Sequence, residues 1–137
     1  MNQNDDESKL TGLRVLLAED YWVNQKVAVK MLAKMGIEPV VVEDGGAAAE
    51  AASKEAFHVI LMDCQMPVLD GFAATRKIRE DEAMAGKPSV PIIAMTAYSS
   101  GSEEDEARDA GMTGWIEKPI MFATFRQQIL DACEATP

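Results

Sequence analysis

Five short apolar runs, near residues 13–18, 40–42, 59–62, 90–95 and 114–116, punctuate a chain of otherwise mixed polarity. Each is continuous rather than alternating and partly β-branched, the pattern of strands covered on both faces. The segments between them follow a helical period. Val23, Val27, Met31 and Met35, with Ala28 and Leu32 beside them, form an apolar stripe that stops at Gly36. Residues 45–56 are alanine-rich and helix-prone, and Phe72 to Arg79 carry a short amphipathic pattern. Ser100 and Glu103 have the spacing of a capping box that opens the acidic segment Glu103 to Ala110. Phe122, Phe125, Ile129 and Cys133 form a last stripe close to the chain end. Strands and helices in alternation predict five βα units, hence a parallel sheet with helices on both faces.

Composition narrows this picture only modestly. At 137 residues the chain fits one domain with a real core. Residues 1–10 are polar and acidic and read as a flexible N-terminal tail, with the folded domain over 11–137. A formal charge of −10 argues against a nucleic-acid or anionic-membrane partner, since both demand basic patches. No apolar run is long enough to span a bilayer, and the first residues are not a signal peptide. Cys64 and Cys133 lack metal-ligand spacing and suit small buried thiols in a reducing, cytoplasmic setting. His58 lies inside a strand run with no second ligand nearby and reads as structural.

The chemistry begins where the apolar runs stop. Asp63 ends Val59-Ile60-Leu61-Met62, and Glu19-Asp20 end Val15-Leu16-Leu17-Ala18. A carboxylate on the last step of a buried strand costs free energy unless something there uses it. If both runs are parallel strands of one sheet, three carboxylates converge at its C-terminal edge, where ligands bind in open α/β folds. Crowded carboxylates repel, and their natural partner is a hard divalent cation with oxygen ligands. Taken singly, each residue also has a plainer reading. Asp20 can cap the following helix, Glu19 can be a solvated strand-end charge, and Asp70-Gly71 can simply make a turn. Thr96 can be an ordinary β-branched strand residue and Lys118 a surface charge.

Four segments in order remove that ambiguity: Glu19-Asp20, Met62-Asp63-Cys64-Gln65-Met66-Pro67-Val68-Leu69-Asp70-Gly71, Met95-Thr96-Ala97 and Glu117-Lys118-Pro119. Together they resemble the receiver domain of two-component response regulators, over about residues 12–134. With Val23-Asn24-Gln25, they are most similar to receivers attached to hybrid sensor histidine kinases. The resemblance implies a flavodoxin-like (βα)5 doubly wound sheet of strand order 2-1-3-4-5. It implies that Asp63 accepts a phosphoryl group from a phosphohistidine, on a histidine kinase or a histidine phosphotransfer protein, and that a downstream protein reads the result. Mg2+ would be held by Asp20, Asp63 and the Gln65 carbonyl, with Glu19 acting through a metal-bound water. Thr96 and Lys118 would contact the phosphoryl oxygens, and the small Ala97 would leave room beside them. The resemblance also raises the expectation of a cis Lys118-Pro119 bond. Such a domain is a switch that assists its own phosphotransfer and slow dephosphorylation, not a multi-turnover enzyme. The switched face would be built from the fourth helix, fifth strand and fifth helix.

The chain departs from the family pattern after the acidic pair, where Tyr21 and Trp22 replace the usual Asn and Pro. Trp115 stands where the family carries a Tyr or Phe that turns inward on phosphorylation; its plainer role is packing on the last helix. Gln65 and Tyr98 match positions that tune hydrolysis of the acyl phosphate. Three rivals meet specific objections. A pseudo-receiver would not need the full acidic, hydroxyl and lysine set. A flavin carrier would want a phosphate loop where Glu19-Asp20-Tyr21-Trp22 stands. An aspartyl phosphatase would place a second Asp at the position of Gln65.

Overall fold

A computed structural model of the chain describes residues 9–97 and 101–135. The strands are β1 (Val15–Ala18), β2 (Val40–Val42), β3 (Val59–Asp63), β4 (Ile92–Thr96) and β5 (Gly114–Glu117). The helices are α1 (Trp22–Lys34), α2 (Gly45–Lys54), α3 (Gly71–Ala85), α4 (Gly101–Ala110) and α5 (Phe122–Ala135). One parallel sheet runs in the order β2-β1-β3-β4-β5, as the family resemblance implies.

Alternation along each strand divides the core into two layers. Val15, Leu17, Val59, Leu61, Ile93 and Met95 pack on one face with Ala28 and Leu32 of α1 and Phe125 and Ile129 of α5. Leu16, Ile60, Met62, Ile92 and Ala94 pack on the other with residues of α2, α3 and α4. Burial on both faces explains the unbroken apolar runs of β1, β3 and β4, every residue of which is buried. The valines of β2 form an edge instead: Val40 and Val42 are half-buried and Val41 is exposed. Their sequence looks the same because β-branched residues suit any pleated surface, and covering depends on neighbours.

Three further details differ from the sequence reading. α1 turns Ala28 and Leu32 inward, with Met35 buried just past its end, while Val27 is exposed and Val23 only half-buried. Met31 is half-buried against the same layer, so contact with the sheet centres on the Ala28 and Leu32 side of the stripe. Leu10, placed in the tail by its polar neighbours, is buried in the α1–α5 layer, beside a Lys9–Glu134 ion pair of 2.7 Å. A lone leucine leaves no periodic signal. α3 runs past Arg79 to Ala85, through charged residues that hide its periodicity, and stops at left-handed Gly86. The remaining tail positions 1–8 and Ser100 of the capping-box pair lie outside the described residues.

The β3–α3 connection is tightly folded over the end of the sheet. Asp70 caps α3, its Oδ1 accepting the Ala73 N–H at 2.8 Å, and the Gly71 N–H donates to the Cys64 carbonyl at 3.0 Å. A Cβ on Gly71 would stand 2.2 Å from the Asp63 carbonyl oxygen. Both contacting groups are backbone, so relief requires moving Asp63 itself. Gly71→Ala is expected to cost about 2–3 kcal/mol in urea unfolding, at the upper end for overpacking; a loss below about 0.5 kcal/mol would show that the turn yields easily.

Candidate functional site

Strand parity places the polar residues. Asp63 continues the Val59 and Leu61 row, Glu19 follows Val15 and Leu17, and Lys118 follows Ile116. All three therefore project to the α1–α5 layer side of the sheet edge. Thr96 continues the other row, Ile92 and Ala94, toward α4. Backbone pairing reaches as far as these residues: Glu19 N–H donates to Val42 at 3.1 Å, Cys64 N–H to Met95 at 3.1 Å and Lys118 N–H to Thr96 at 2.7 Å. These side chains thus stand at the end of the hydrogen-bonded ladder. The Lys118-Pro119 bond is cis.

The result is a cleft of about 240 Å³ lined by Glu19, Asp20, Asp63, Gln65, Thr96 and Lys118, with Asn24, Cys64, Ala97 and Glu103 completing its wall. One oxygen from each of Glu19, Asp20 and Asp63 lies within 4.8 Å of the other two. Lys118 Nζ sits 3.0 Å from Glu19 Oε1 and 3.2 Å from Asp63 Oδ1. Asp63 Oδ1 also accepts the Gln65 N–H at 3.3 Å. The Gln25 side-chain amide donates to the Glu19 carbonyl at 2.6 Å, fixing α1 against the acidic pair. Asp20 is exposed and does not cap α1. The cap position is Tyr21, which makes no side-chain cap bond, so the capping reading of Asp20 falls away.

Burial and crowding set the protonation balance. Asp63 is pushed up to about 7, chiefly by burial, then by its hydrogen bond to Glu19 and the Glu19 charge. Burial acts on Glu19 in the same sense, yet hydrogen bonds from Asp63 and Lys118 outweigh it and hold Glu19 below the usual range. Burial alone would lower Lys118, but hydrogen bonding to Glu19 and the charge of Asp63 raise it. The metal-free site therefore favours one proton shared on the Asp63 side of the pair, with Lys118 charged. Cys64, pushed up to about 12 by burial and then by neighbouring anions, is an inert thiol.

Of the other residues singled out from sequence, Ala97 lines the cleft and Trp115 does not. Trp115 is half-buried on β5, paired in register with Ala94, and Arg108 of α4 lies 5.3 Å from its ring centre. Its packing partner is thus α4, rather than the last helix. Tyr98 lies outside the described residues. Tyr21 and Trp22 are exposed, the latter with Lys26 Nζ 5.0 Å from its ring centre. His58 Nδ1 accepts the Arg14 N–H at 2.8 Å, a structural contact far from the cleft. Sequence alone does not mark Asn24 and Glu103 as site residues: Asn24 lies within Val23-Asn24-Gln25, and Glu103 carries only a helix-capping signal.

The comparisons agree with this geometry. The family model for the response regulator receiver domain matches residues 15–130. The sensor protein GacS of Pseudomonas syringae is 40% identical over 117 residues, covering 85% of this chain and 13% of that protein. The osmosensing histidine protein kinase SLN1 of Saccharomyces cerevisiae is 35% identical, covering 96% and 11%. The chain therefore spans only about an eighth of the length of these relatives. The receiver domain of sensor histidine kinase PA1611 from Pseudomonas aeruginosa, solved with magnesium in its active-site cleft, superposes with a TM-score of 0.80 at 35% identity. That match covers 91% of this chain and 100% of that one. The receiver of Ssk1, solved with the histidine phosphotransfer protein Ypd1 of Saccharomyces cerevisiae, gives 0.81 at 29% identity, covering 85% and 86%. Fold, strand-edge carboxylates and family match converge: this chain belongs to the response regulator receiver domain family.

Proposed function

We propose that the chain is a phosphoacceptor switch in which Asp63 takes a phosphoryl group from a phosphohistidine. The observation that carries this reading is Asp63 itself, a buried strand-end carboxylate held between an acidic pair and the Lys118 ammonium. A carboxylate oxygen attacks phosphorus, the N–P bond breaks, and the imidazole nitrogen leaves with the bonding pair and takes up a proton. The donor phosphoryl group is anionic, so the site must neutralise charge and align attack. Lys118 supplies a fixed charge beside the nucleophile, and the Thr96 hydroxyl is the donor for a phosphoryl oxygen.

The three carboxylates are hard oxygen donors at a spacing that fits a magnesium ion. Asp20, Asp63 and the Gln65 carbonyl would hold it, and Glu19, engaged by Lys118, would act through water. Bound there, the ion would neutralise charge between the carboxylates and the phosphoryl oxygens. The site would also assist slow hydrolysis of its own acyl phosphate, with Gln65 and Tyr98 flanking the approach of water. The partners are a histidine kinase or phosphotransfer protein upstream and a protein reading the α4–β5–α5 face downstream. Among the described residues no helix is long and apolar enough to cross a membrane.

The direct test is intact mass after incubation with a small acyl phosphate and magnesium. A phosphate-sized gain is expected that requires the metal, is removed by hydroxylamine and maps to the Asp63 peptide. A gain resistant to hydroxylamine, or mapping elsewhere, refutes the assignment. The metal geometry makes a second prediction, read by calorimetric titration. Asp20→Ala should weaken magnesium binding roughly a hundredfold and Glu19→Ala roughly tenfold, the difference between a direct ligand and one acting through water. Equal losses would contradict these roles.

A further inference from the structure

We infer that Glu103 is a positioning residue of this site, acting through Thr96; the inference rests on the phosphoacceptor reading above. Thr96 Oγ1 donates to Glu103 Oε2 at 3.3 Å, and both residues line the same cleft as Asp63. The contact follows from the fold. Strand parity points Thr96 toward α4, and Glu103 stands in the first turn of that helix. Thr96 is buried, which limits competition from bulk water for its hydroxyl.

A hydroxyl has one proton to donate. In the unphosphorylated protein the Glu103 carboxyl accepts it, through a long contact of 3.3 Å. A phosphoryl group on Asp63 would bring nearly two negative charges and three acceptor oxygens into the cleft. Glu103 and that group then compete for the same proton and repel each other. Among the described residues, the cleft already sets Glu19, Asp20, Asp63 and Glu103 against the single ammonium of Lys118. Thr96 can serve the phosphoryl oxygen only after Glu103 lets go. Glu103 thus slows phosphorylation, and its release ties the charge on Asp63 to the first turn of α4. Phosphorylation selects the released state of a two-state contact.

The rate of phosphorylation of the full chain by a small acyl phosphate with magnesium tests this. Glu103→Ala should react roughly fivefold faster than the parent, a typical coupling between linked groups. Glu103→Gln, which keeps the side-chain size and helix position, should change in the same direction. The gain should shrink at least about twofold when Glu103→Ala is made in a Thr96→Ala background, because the route through the hydroxyl is gone and only charge repulsion remains. Rates at or below the parent's in both Glu103 variants overturn the inference. An undiminished gain without Thr96 overturns it as well, since plain charge repulsion then accounts for the effect. These outcomes leave the parent's own phosphorylation intact; only failure of the parent to take up phosphate strikes the phosphoacceptor reading, and the inference with it.

Discussion

Asparagine in place of Asp63 is expected to abolish phosphoryl uptake and to make the metal-free protein more stable. The first effect is loss of the nucleophile, a fall of at least roughly 10³ in rate, as for other catalytic nucleophiles. The second follows from the proton balance. The Asp63 carboxyl sits at about 7 when folded, against an ordinary 3.8. Between those values the folded protein holds a proton that the unfolded chain has released, so stability drains away as pH rises through the window. The contribution is intact below about pH 4 and lost above about pH 7. Asparagine mimics the neutral acid and removes that slope. At pH 8 without metal the variant should gain about 1–2 kcal/mol, roughly 3–8 °C in Tm. Magnesium should reverse the order, because ion binding stabilises the parent and the variant lacks one of the proposed ligands. Thermal melts with chelator and with magnesium read both effects. A variant that melts at or below the parent at pH 8 in chelator would show that Asp63 is not under charge strain.

Lys118→Met should lose on both counts. The methionine keeps an apolar stem of similar length and removes only the ammonium that lies 3.0 Å from Glu19 and 3.2 Å from Asp63. Stripping one partner from a buried ion pair leaves uncompensated charge, and at pH 8 we expect a loss of about 3 kcal/mol. This is the low end for such pairs, because a fifth of the Lys118 side chain is exposed. Near pH 5 the deficit should shrink, since Asp63 then carries its proton and one anion fewer faces the gap. Phosphoryl uptake should fall by about 10²–10³, the scale of removing one preorganised charge from a transfer site. Unfolding at the two pH values, with uptake measured in parallel, checks the pairing. Equal stability of parent and variant at pH 8 would mean that the ammonium does not hold the acidic pair.

The residues of the site differ in how far each is legible from the sequence alone. The carboxylates were legible because each ends an apolar run, and a buried strand has little reason to finish on an acid. Thr96 and Lys118 gained meaning only from the family motif, since a strand threonine and a lone lysine are common. Glu103 was legible as a helix-capping residue and nothing more. Its contact with Thr96 depends on where β4 releases the chain and how α4 returns, which no local spacing encodes.

What the sequence determined by itself was the alternation of elements and the acids at the strand ends, because both follow from local periodicity and from the cost of burying charge. Tertiary structure decided the rest. It made β2 an edge, turned the Ala28 and Leu32 side of α1 onto the sheet, and drew Leu10 into the core. It also set Trp115 under Arg108 and brought Lys118 across the sheet to both Glu19 and Asp63. Covering and long-range contact are properties of neighbours, and residues as distant along the chain as Glu19 and Lys118 become neighbours only when the whole sheet is assembled.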